Sequence, residues 1–448
     1  MKPEYSWHTN PLKKNQTVAS TRYHSPMAVG PEAPTIPTFE EARHLVANHA
    51  AQLHPTGTES VVLLQASDRV LAESVVADRD IPPFPRSTRD GYAVQAVDLG
   101  KLPATLDVIA EIRAGQEPED TPSLLARGQA ASIMTGAPVP AGADAVLMVE
   151  YTTRKADRVE VTRAVTPGEN LVPKGAEARL GAALLHPGTR LNDSAIALAA
   201  SVGKSQLNVY LPPRVAVLTT GDEIVPVESS PGPTRIRNSN SYSLAAQIQR
   251  SGGKPVLLPI APDEPRELRR LIEEGLQSDL LILTGGVSMG RYDLVEQVLS
   301  DLNAEFFFTG AKIQPGRPVV FGQVPCGADT PVRQTPAKYF FGLPGNPVST
   351  MVTFELFARP ILEALAGMTP QKLVFLHAQL KSDIRVKTGL KRFLPAVLSG
   401  EFENSEVELV AWQGSGDIAA TARANCYIVV PPDRERLAAG EWVAVMMR

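Results

Sequence analysis

Between residues 212 and 367 the chain alternates short apolar runs with stretches of helical period, and three of those runs end in a glycine-rich turn. Val215-Ala216-Val217-Leu218 leads into Thr219-Thr220-Gly221-Asp222-Glu223, and Leu280-Leu281-Ile282-Leu283 into Thr284-Gly285-Gly286-Val287-Ser288. Tyr339-Phe340-Phe341 leads into Leu343-Pro344-Gly345-Asn346-Pro347-Val348-Ser349. Strand and helix alternation of this kind predicts a doubly wound, three-layer α/β domain with right-handed crossovers. Ligands of such a sheet sit beyond the carboxyl ends of the strands, where glycine lets backbone approach closely and helix N-termini offer free amides to anions. Three converging turns predict a site for a doubly negative, phosphate-like ligand.

The rest of the chain divides around that domain. Its 448 residues have room for three or four domains at about 100 to 150 residues each. Residues 1–37 are polar and proline-bearing, without an apolar period, and read as a mobile extension. Thr38-Phe39-Glu40-Glu41 has capping-box spacing and opens a helix carrying Phe39, Ala42, Val46, His49 and Leu53, with His49 on its half-buried face. From 76 to 176 short alternating segments separated by turns such as Pro138-Val139-Pro140-Ala141-Gly142 predict a β-rich module. Helical character returns at Asp193–Val202, with Asp193 as cap. The module therefore reads as an insertion into a discontinuous helical and extended domain, residues 38–75 and 177–211. Residues 371–448 alternate again and predict a small β-barrel or sandwich.

Charge and residue usage narrow the function. The net charge of -4 leaves no basic excess for a nucleic-acid partner, so anion binding must be local. Two cysteines, Cys326 and Cys426, are too few for a disulfide framework and fit a reducing cytoplasm. No histidine occurs from Pro187 to Leu376, so acid–base or metal work at the turns falls to carboxylates. No stretch approaches the ~18 apolar residues of a membrane span, and Met1–Asn15 has no apolar signal core. A soluble, cytoplasmic protein is expected.

Chemistry can then be assigned to residues. Asn346 as N-cap and Pro347 at the first helical position would present the amides of Val348 and Ser349, with the Ser349 hydroxyl, to an oxyanion. Gly285, Gly286 and Gly345 permit close approach, and Ser288 donates. Asp293, Glu223 and Asp263 would repel an anion unless a cation lies between, which predicts magnesium bridging to phosphate. Lys312 and Arg317, flanking Gln314-Pro315-Gly316, supply positive charge, the guanidinium in bidentate fashion.

Six motifs in this order resemble the molybdopterin molybdenumtransferase family, which includes the bacterial MoeA proteins and the E-domain of gephyrin. They are Arg89-Asp90-Gly91-Tyr92-Ala93-Val94, Ile133-Met134-Thr135-Gly136-Ala137-Pro138-Val139-Pro140, Thr220-Gly221-Asp222-Glu223, Gly285-Gly286-Val287-Ser288-Met289-Gly290, Pro315-Gly316-Arg317-Pro318 and Pro344-Gly345-Asn346-Pro347-Val348-Ser349. The resemblance runs from about residue 38 to the C-terminus. It implies insertion of molybdate into adenylylated molybdopterin, with magnesium-dependent release of AMP. It also implies a homodimer, in which Asp90, as a catalytic acid, and Thr135 approach the partner's site. Glu223, Asp263 and Asp293 would serve the metal and phosphate end, with Glu223 and Asp293 as metal ligands, and Ser288, Lys312, Arg317 and Ser349 would serve molybdate and pterin. An adenylyltransferase and molybdoenzyme acceptors are the implied protein partners.

Three positions depart from the family pattern. Ser87-Thr88-Arg89-Asp90 replaces Ser-Ala-Met-Asp, Gly175-Ala176-Glu177 replaces Gly-Glu-Asp, and Gln314 replaces a basic residue. The competing functions are an adenylyltransferase, which needs neither the β module nor the C-terminal domain, and a non-catalytic scaffold, which has no need of four acids at an anion site.

Overall fold

The computed structural model describes residues 36–117, 120, 122–286, 294–325, 337–369, 372–401 and 404–448. The expectation for residues 1–37 thus falls almost wholly outside the described residues, as do Ser288, Asp293 and Cys326.

Six strands form the central sheet, in the order Lys254–Leu257, Arg214–Thr219, Leu280–Thr284, Lys338–Leu343, Val320–Val324 and Glu305–Phe308. The first four are mutually parallel and Val320–Val324 runs against its neighbours, so the sheet is mixed. The reason lies in the connection from Phe308 to Val320. It holds Pro315, Gly316 and Pro318 in place of the crossover helix a parallel strand needs.

Alternate residues of the strands feed two separate cores, which makes the domain three-layered. Val215, Val217, Leu280, Ile282, Tyr339 and Phe341 face the helix Asn240–Arg250 and the helical run from Pro347 to Leu365. Ala216, Leu218, Leu281, Leu283 and Phe340 face the helices Pro265–Gly275 and Leu294–Asp301. Strands buried on both faces read as continuous apolar runs, which is why these segments stand out in the sequence. The expected helix Val348–Leu365 is interrupted: α-helix Pro347–Thr353 passes through a π-helical turn, Phe354–Ala358, before Arg359–Leu365.

Nested pairings show where the β-rich module is inserted. Thr58–Val62 pairs with Gln206–Tyr210, Val75–Val76 with Ala183–Leu185, and Arg86–Ser87 with Leu171–Val172. Between the innermost pair lies a six-stranded mixed sheet built from strands between Gly91 and Val161. The flanking segments share a core of Ala66, Leu71, Val75, Leu191, Ala195, Ala199 and Val209. The helix Phe39–Ala50 does not join that core. Its Phe39, Ala42, Val46 and Ala50 pack into the central domain, while the Thr38 and Glu41 side chains and backbones form the expected reciprocal cap. His49 lies at its expected half-buried position, with Nδ1 3.1 Å from the Tyr339 hydroxyl and its ring stacked on Phe307. In the helix Asp193–Ser201 the cap is Asn192, whose side chain accepts from the Ala195 amide, and not Asp193.

The C-terminal domain closes as a barrel. Its strands run Lys391–Ser399, Glu406–Leu409, Phe375–Leu380, Trp442–Met447 and Cys426–Val430, and the last pairs back to the first. Ile313–Gln314 is drawn out of the central domain to pair with Lys391–Arg392. None of the described helices is long and apolar enough to cross a membrane.

Candidate functional site

Sheet register brings the three turns together. Thr219 is level with Thr284, and Thr284 with Leu343, so the carboxyl ends of three adjacent strands stop at one edge. The Thr220 amide donates to Thr284 O at 3.0 Å, and a Cβ added to Gly345 would lie 3.5 Å from Gly285 Cα. The turns enclose a cleft of about 750 Å³ lined by Thr220, Glu223, Gly285, Gly286, Gly345 and Asn346 among others. Gly416 and Ile418 of the C-terminal domain complete its wall.

Glycine is required at Gly285. Its φ is +90°, and a Cβ there would sit 2.5 Å from the Thr220 carbonyl oxygen.

Beneath the turns lies a polar layer that sequence reasoning missed, Asn238-Ser239-Asn240-Ser241. The Asn240 amide group donates to Thr284 Oγ1 at 2.9 Å and to Gly345 O at 2.7 Å, tying the second and third turns. Asn238 Oδ1 accepts from the Ser241 amide at 3.1 Å, and Thr219 Oγ1 lies 2.8 Å from Ser241 Oγ. The available signal was four consecutive capping-type residues where a helix start needs one. Arg237 also lines the cleft, a cation that sequence reasoning did not place there.

Two buried oxygens in this layer, Thr220 Oγ1 and Asn240 Oδ1, have no hydrogen-bond partner. An unpaired buried hydroxyl carries a desolvation cost of about 1–3 kcal/mol. Thr220→Val, which keeps the side-chain shape, is therefore expected to leave the ligand-free protein as stable or more stable, by up to about 1–2 kcal/mol. Chemical denaturation measures it. A clear loss of stability would mean that the hydroxyl has a partner after all.

The carboxylates do not all meet in the cleft. Glu223 lines it, and its side chain folds back against Gly221. Asp263 stands beside it, because the Gly221 amide donates to Ala261 O and the Asp263 amide to Asp222 Oδ1. Burial first, and then the neighbouring charges of Asp222 and Glu223, push the Asp263 carboxyl above the ordinary aspartate value. A carboxylate whose charge is opposed by two neighbouring acids fits a hard divalent cation, which would relieve the repulsion. Among the described residues no three His, Cys, Asp or Glu side chains converge on one point. A cation here would complete its shell with substrate oxygens and water, as Mg²⁺ commonly does.

Other expected residues lie elsewhere. Asp90 Oδ1 accepts from the Thr135 amide at 2.6 Å, and hydrogen bonds from Thr135 hold the exposed Asp90 carboxyl below the usual range. Both residues are on the β-rich module, outside this cleft's lining. Lys312 and Arg317 are exposed, with the neighbouring Pro318 reaching the wall. Gln314, one of the departures, belongs to the strand that pairs with the barrel, and Glu177 ion-pairs with Arg86 at 2.7 Å. The helix start at Pro347 requires correction. Asn346 holds the N-cap position without a side-chain cap bond, the Val348 amide is taken by Ser415 O at 3.0 Å, and Ser349 is buried at 3% exposure. A loop of the barrel domain has claimed the donor that an anion was expected to use.

Residues 37–203, 216–364 and 377–447 match, in turn, the families described as MoeA N-terminal region (domain I and II), probable molybdopterin binding domain, and MoeA C-terminal region (domain IV). A molybdopterin molybdenumtransferase of Nostoc sp. is 35% identical over 94% of this chain and 96% of its own length. This chain belongs to the MoeA family. Another relative of that name, from Synechococcus elongatus, is 32% identical over 91% of this chain and 98% of its own. A solved MoeA protein of Pyrococcus horikoshii OT3 superposes with a TM-score of 0.72 at 28% identity, covering 92% of this chain and all of its own. A second crystal structure titled as MoeA of the same organism gives 0.66 at 31% identity, covering 92% and 99%. The MoeA-type arrangement of a mixed α/β core, an inserted β-rich module and a C-terminal β-barrel is thus the fold of this chain.

Proposed function

We propose that this MoeA-family chain is a molybdopterin molybdenumtransferase that inserts molybdate into adenylylated molybdopterin and releases AMP. The observation that carries the reading is the convergence of three glycine turns on one cleft with carboxylates at its edge. Gly285, Gly286 and Gly345 let a phosphate approach the backbone, while Asn346 and Arg237 border the same space. Glu223 and Asp263, with Asp293 expected from the sequence, would hold Mg²⁺, which when bound supplies positive charge to a phosphoanhydride undergoing cleavage. Lys312 and Arg317, exposed beside Pro318, would draw molybdate toward the rim, and Ser288 would serve as a donor on the sequence pattern alone. Asp90 is ionised and committed to Thr135, so it acts as a fixed acceptor and not as a proton donor. Cytoplasmic location, and an adenylyltransferase and molybdoenzymes as partners, complete the reading.

Incubation with adenylylated molybdopterin, Mg²⁺ and molybdate while AMP is followed tests it directly. Release no faster than in the absence of protein would favour a scaffold role.

A homodimer with shared sites accounts for Asp90 and Thr135 lying outside the cleft of their own chain. Asp90→Ala and Glu223→Ala should each be nearly inactive alone. After subunit exchange about a quarter of all sites should recover, since one site of each hybrid is intact and the other carries both lesions. Hybrids that form without recovery would put both residues to work within one chain, or remove Asp90 from the machinery.

A further inference from the structure

One wall of the glycine-turn cleft does not come from the central domain. Gly416 and Ile418 belong to the C-terminal barrel domain, and Ile418, 42% exposed, is the apolar side chain they offer to the cleft. Where this wall stands depends on the helix Ile418–Arg423. That helix is six residues long, too short to hold its own conformation in water, so its place must come from contacts at its two ends.

The front end is held locally. Asp417 Oδ1 accepts from the Ala420 amide at 2.9 Å and Oδ2 from the Gln413 amide at 3.1 Å, while Ser415 O takes the Val348 amide. The back end is held by Arg448. Its guanidinium donates from Nη1 to Thr421 O and, at 3.0 Å, to Ala424 O, carbonyls of the kind a helix end leaves without an intrahelical partner. Nη2 lies 3.9 Å from Met351 Sδ, and the guanidinium carbon stands 5.7 Å from the centre of the Tyr427 ring. Met351 is on the helix that begins at Pro347, and Tyr427 is a barrel residue that packs into the central core. One side chain therefore touches the helix behind the wall, the barrel and the central domain at once. Attachment of the barrel does not depend on it, because Phe393, Tyr427, Val429 and Met446 are part of the central core and Ile313–Gln314 pairs with Lys391–Arg392.

We propose that Arg448 is a positioning residue for the reaction, which fixes Gly416 and Ile418 against bound substrate without lining the cleft itself. The assignment rests on the function proposed above and adds to it a residue that acts from behind the wall. Charge-assisted hydrogen bonds are the strong ones, and here they converge on the back of a helix whose first residue faces the ligand. Without them the helix keeps its Asp417 cap but loses its anchor, so Ile418 no longer has one place. The wall meets substrate in the ground state and the transition state alike. Its displacement withdraws uniform binding, which raises KM and leaves kcat as it was.

The test uses the full chain, with AMP release and amide hydrogen exchange as separate readouts. Arg448→Met keeps most of the side-chain length and removes the charge. It should raise KM for adenylylated molybdopterin about 10-fold, the low end for a misplaced apolar group in a pocket, with kcat within about twofold and the melting temperature within about 2 °C. Exchange in residues 418–423 should quicken about 10-fold or more, as loss of hydrogen bonds from a charged group implies, while Cys426–Val430 stays protected. Arg448→Lys, which keeps a charged donor, should return KM to within about threefold of native. Ile418→Ala should raise KM by itself, and Arg448→Met added to it should raise KM no further, because the second change acts through the first residue. Unchanged exchange in 418–423, a KM that rises independently in the double variant, or a lower kcat at native KM would each overturn the assignment. Loss of protection throughout the barrel would overturn it too, by showing a general structural role. A native protein that releases no AMP removes the transferase instead, and Arg448 then keeps its place behind the wall only if exchange in 418–423 still quickens in Arg448→Met.

Discussion

Phe341→Ala should destabilise the central domain by about 3–5 kcal/mol, the range for removing a fully buried aromatic side chain. Phe341 is 0% exposed and stacks on Phe321, its partner on the antiparallel neighbour, with ring centroids 4.6 Å apart and planes 13° from parallel. Phe321 in turn contacts Phe307, Phe308 and Tyr339. The cavity would open where the sheet, the helical run Pro347–Leu365 and the helix Phe39–Ala50 meet, because Phe39, Val46, Phe341 and Phe357 belong to one core. Helices held on three sides cannot close in to fill it, so relaxation is limited and the cost stays high. Phe341→Leu, which keeps most of the volume, should cost less than about half as much. Denaturant unfolding followed by tryptophan-independent circular dichroism measures both. A loss below about 1 kcal/mol for the alanine variant would mean that the rings repack freely, and that this cluster does not anchor the helix Phe39–Ala50.

Legibility in the sequence followed local chemistry. Apolar runs buried on both faces announced the parallel strands, and the spacing of Thr38 and Glu41 announced a cap that the structure forms in full. The glycine turns were legible because positive φ and close contact leave few alternatives at Gly285 and Gly286. What stayed hidden depends on distant partners. Val320–Val324 is apolar but broken by Gly322, whose missing Cβ makes room for Glu305 O and the Phe340 ring, so it carried too weak a period to stand out. The helix Phe39–Ala50 gave its start correctly, but its apolar spacing ran on to Leu53, past the observed end at Ala50, and gave no indication of which core its apolar face enters. The Val348 amide looked available because helix-start rules describe one segment, whereas its acceptor, Ser415, comes from a domain some seventy residues downstream. Asn240 was passed over for the same reason: its role is to tie Thr284 to Gly345, two turns remote from it in sequence.

Gly285→Ala is expected to abolish function where most glycine changes would only weaken the fold. Two costs combine there. An alanine at φ +90° is strained, by about 1–3 kcal/mol, and its Cβ at 2.5 Å from the Thr220 carbonyl oxygen must push backbone against backbone. The Thr220 amide is itself bonded to Thr284 O, so the first and second turns would separate, taking the Gly345 contact with them. Stability should fall by about 2–4 kcal/mol, and AMP release by at least about 100-fold, as expected when reacting groups are displaced by about an ångström. Gly389→Ala provides the control. Its φ is +96° but nothing lies within 4 Å of the added Cβ, so it should cost only the backbone strain, about 1–2 kcal/mol, and leave turnover unchanged. Gly285→Ala behaving like Gly389→Ala in both measurements would show that the two turns do not need their close approach, and the glycine-turn cleft would lose its claim to be the site of reaction.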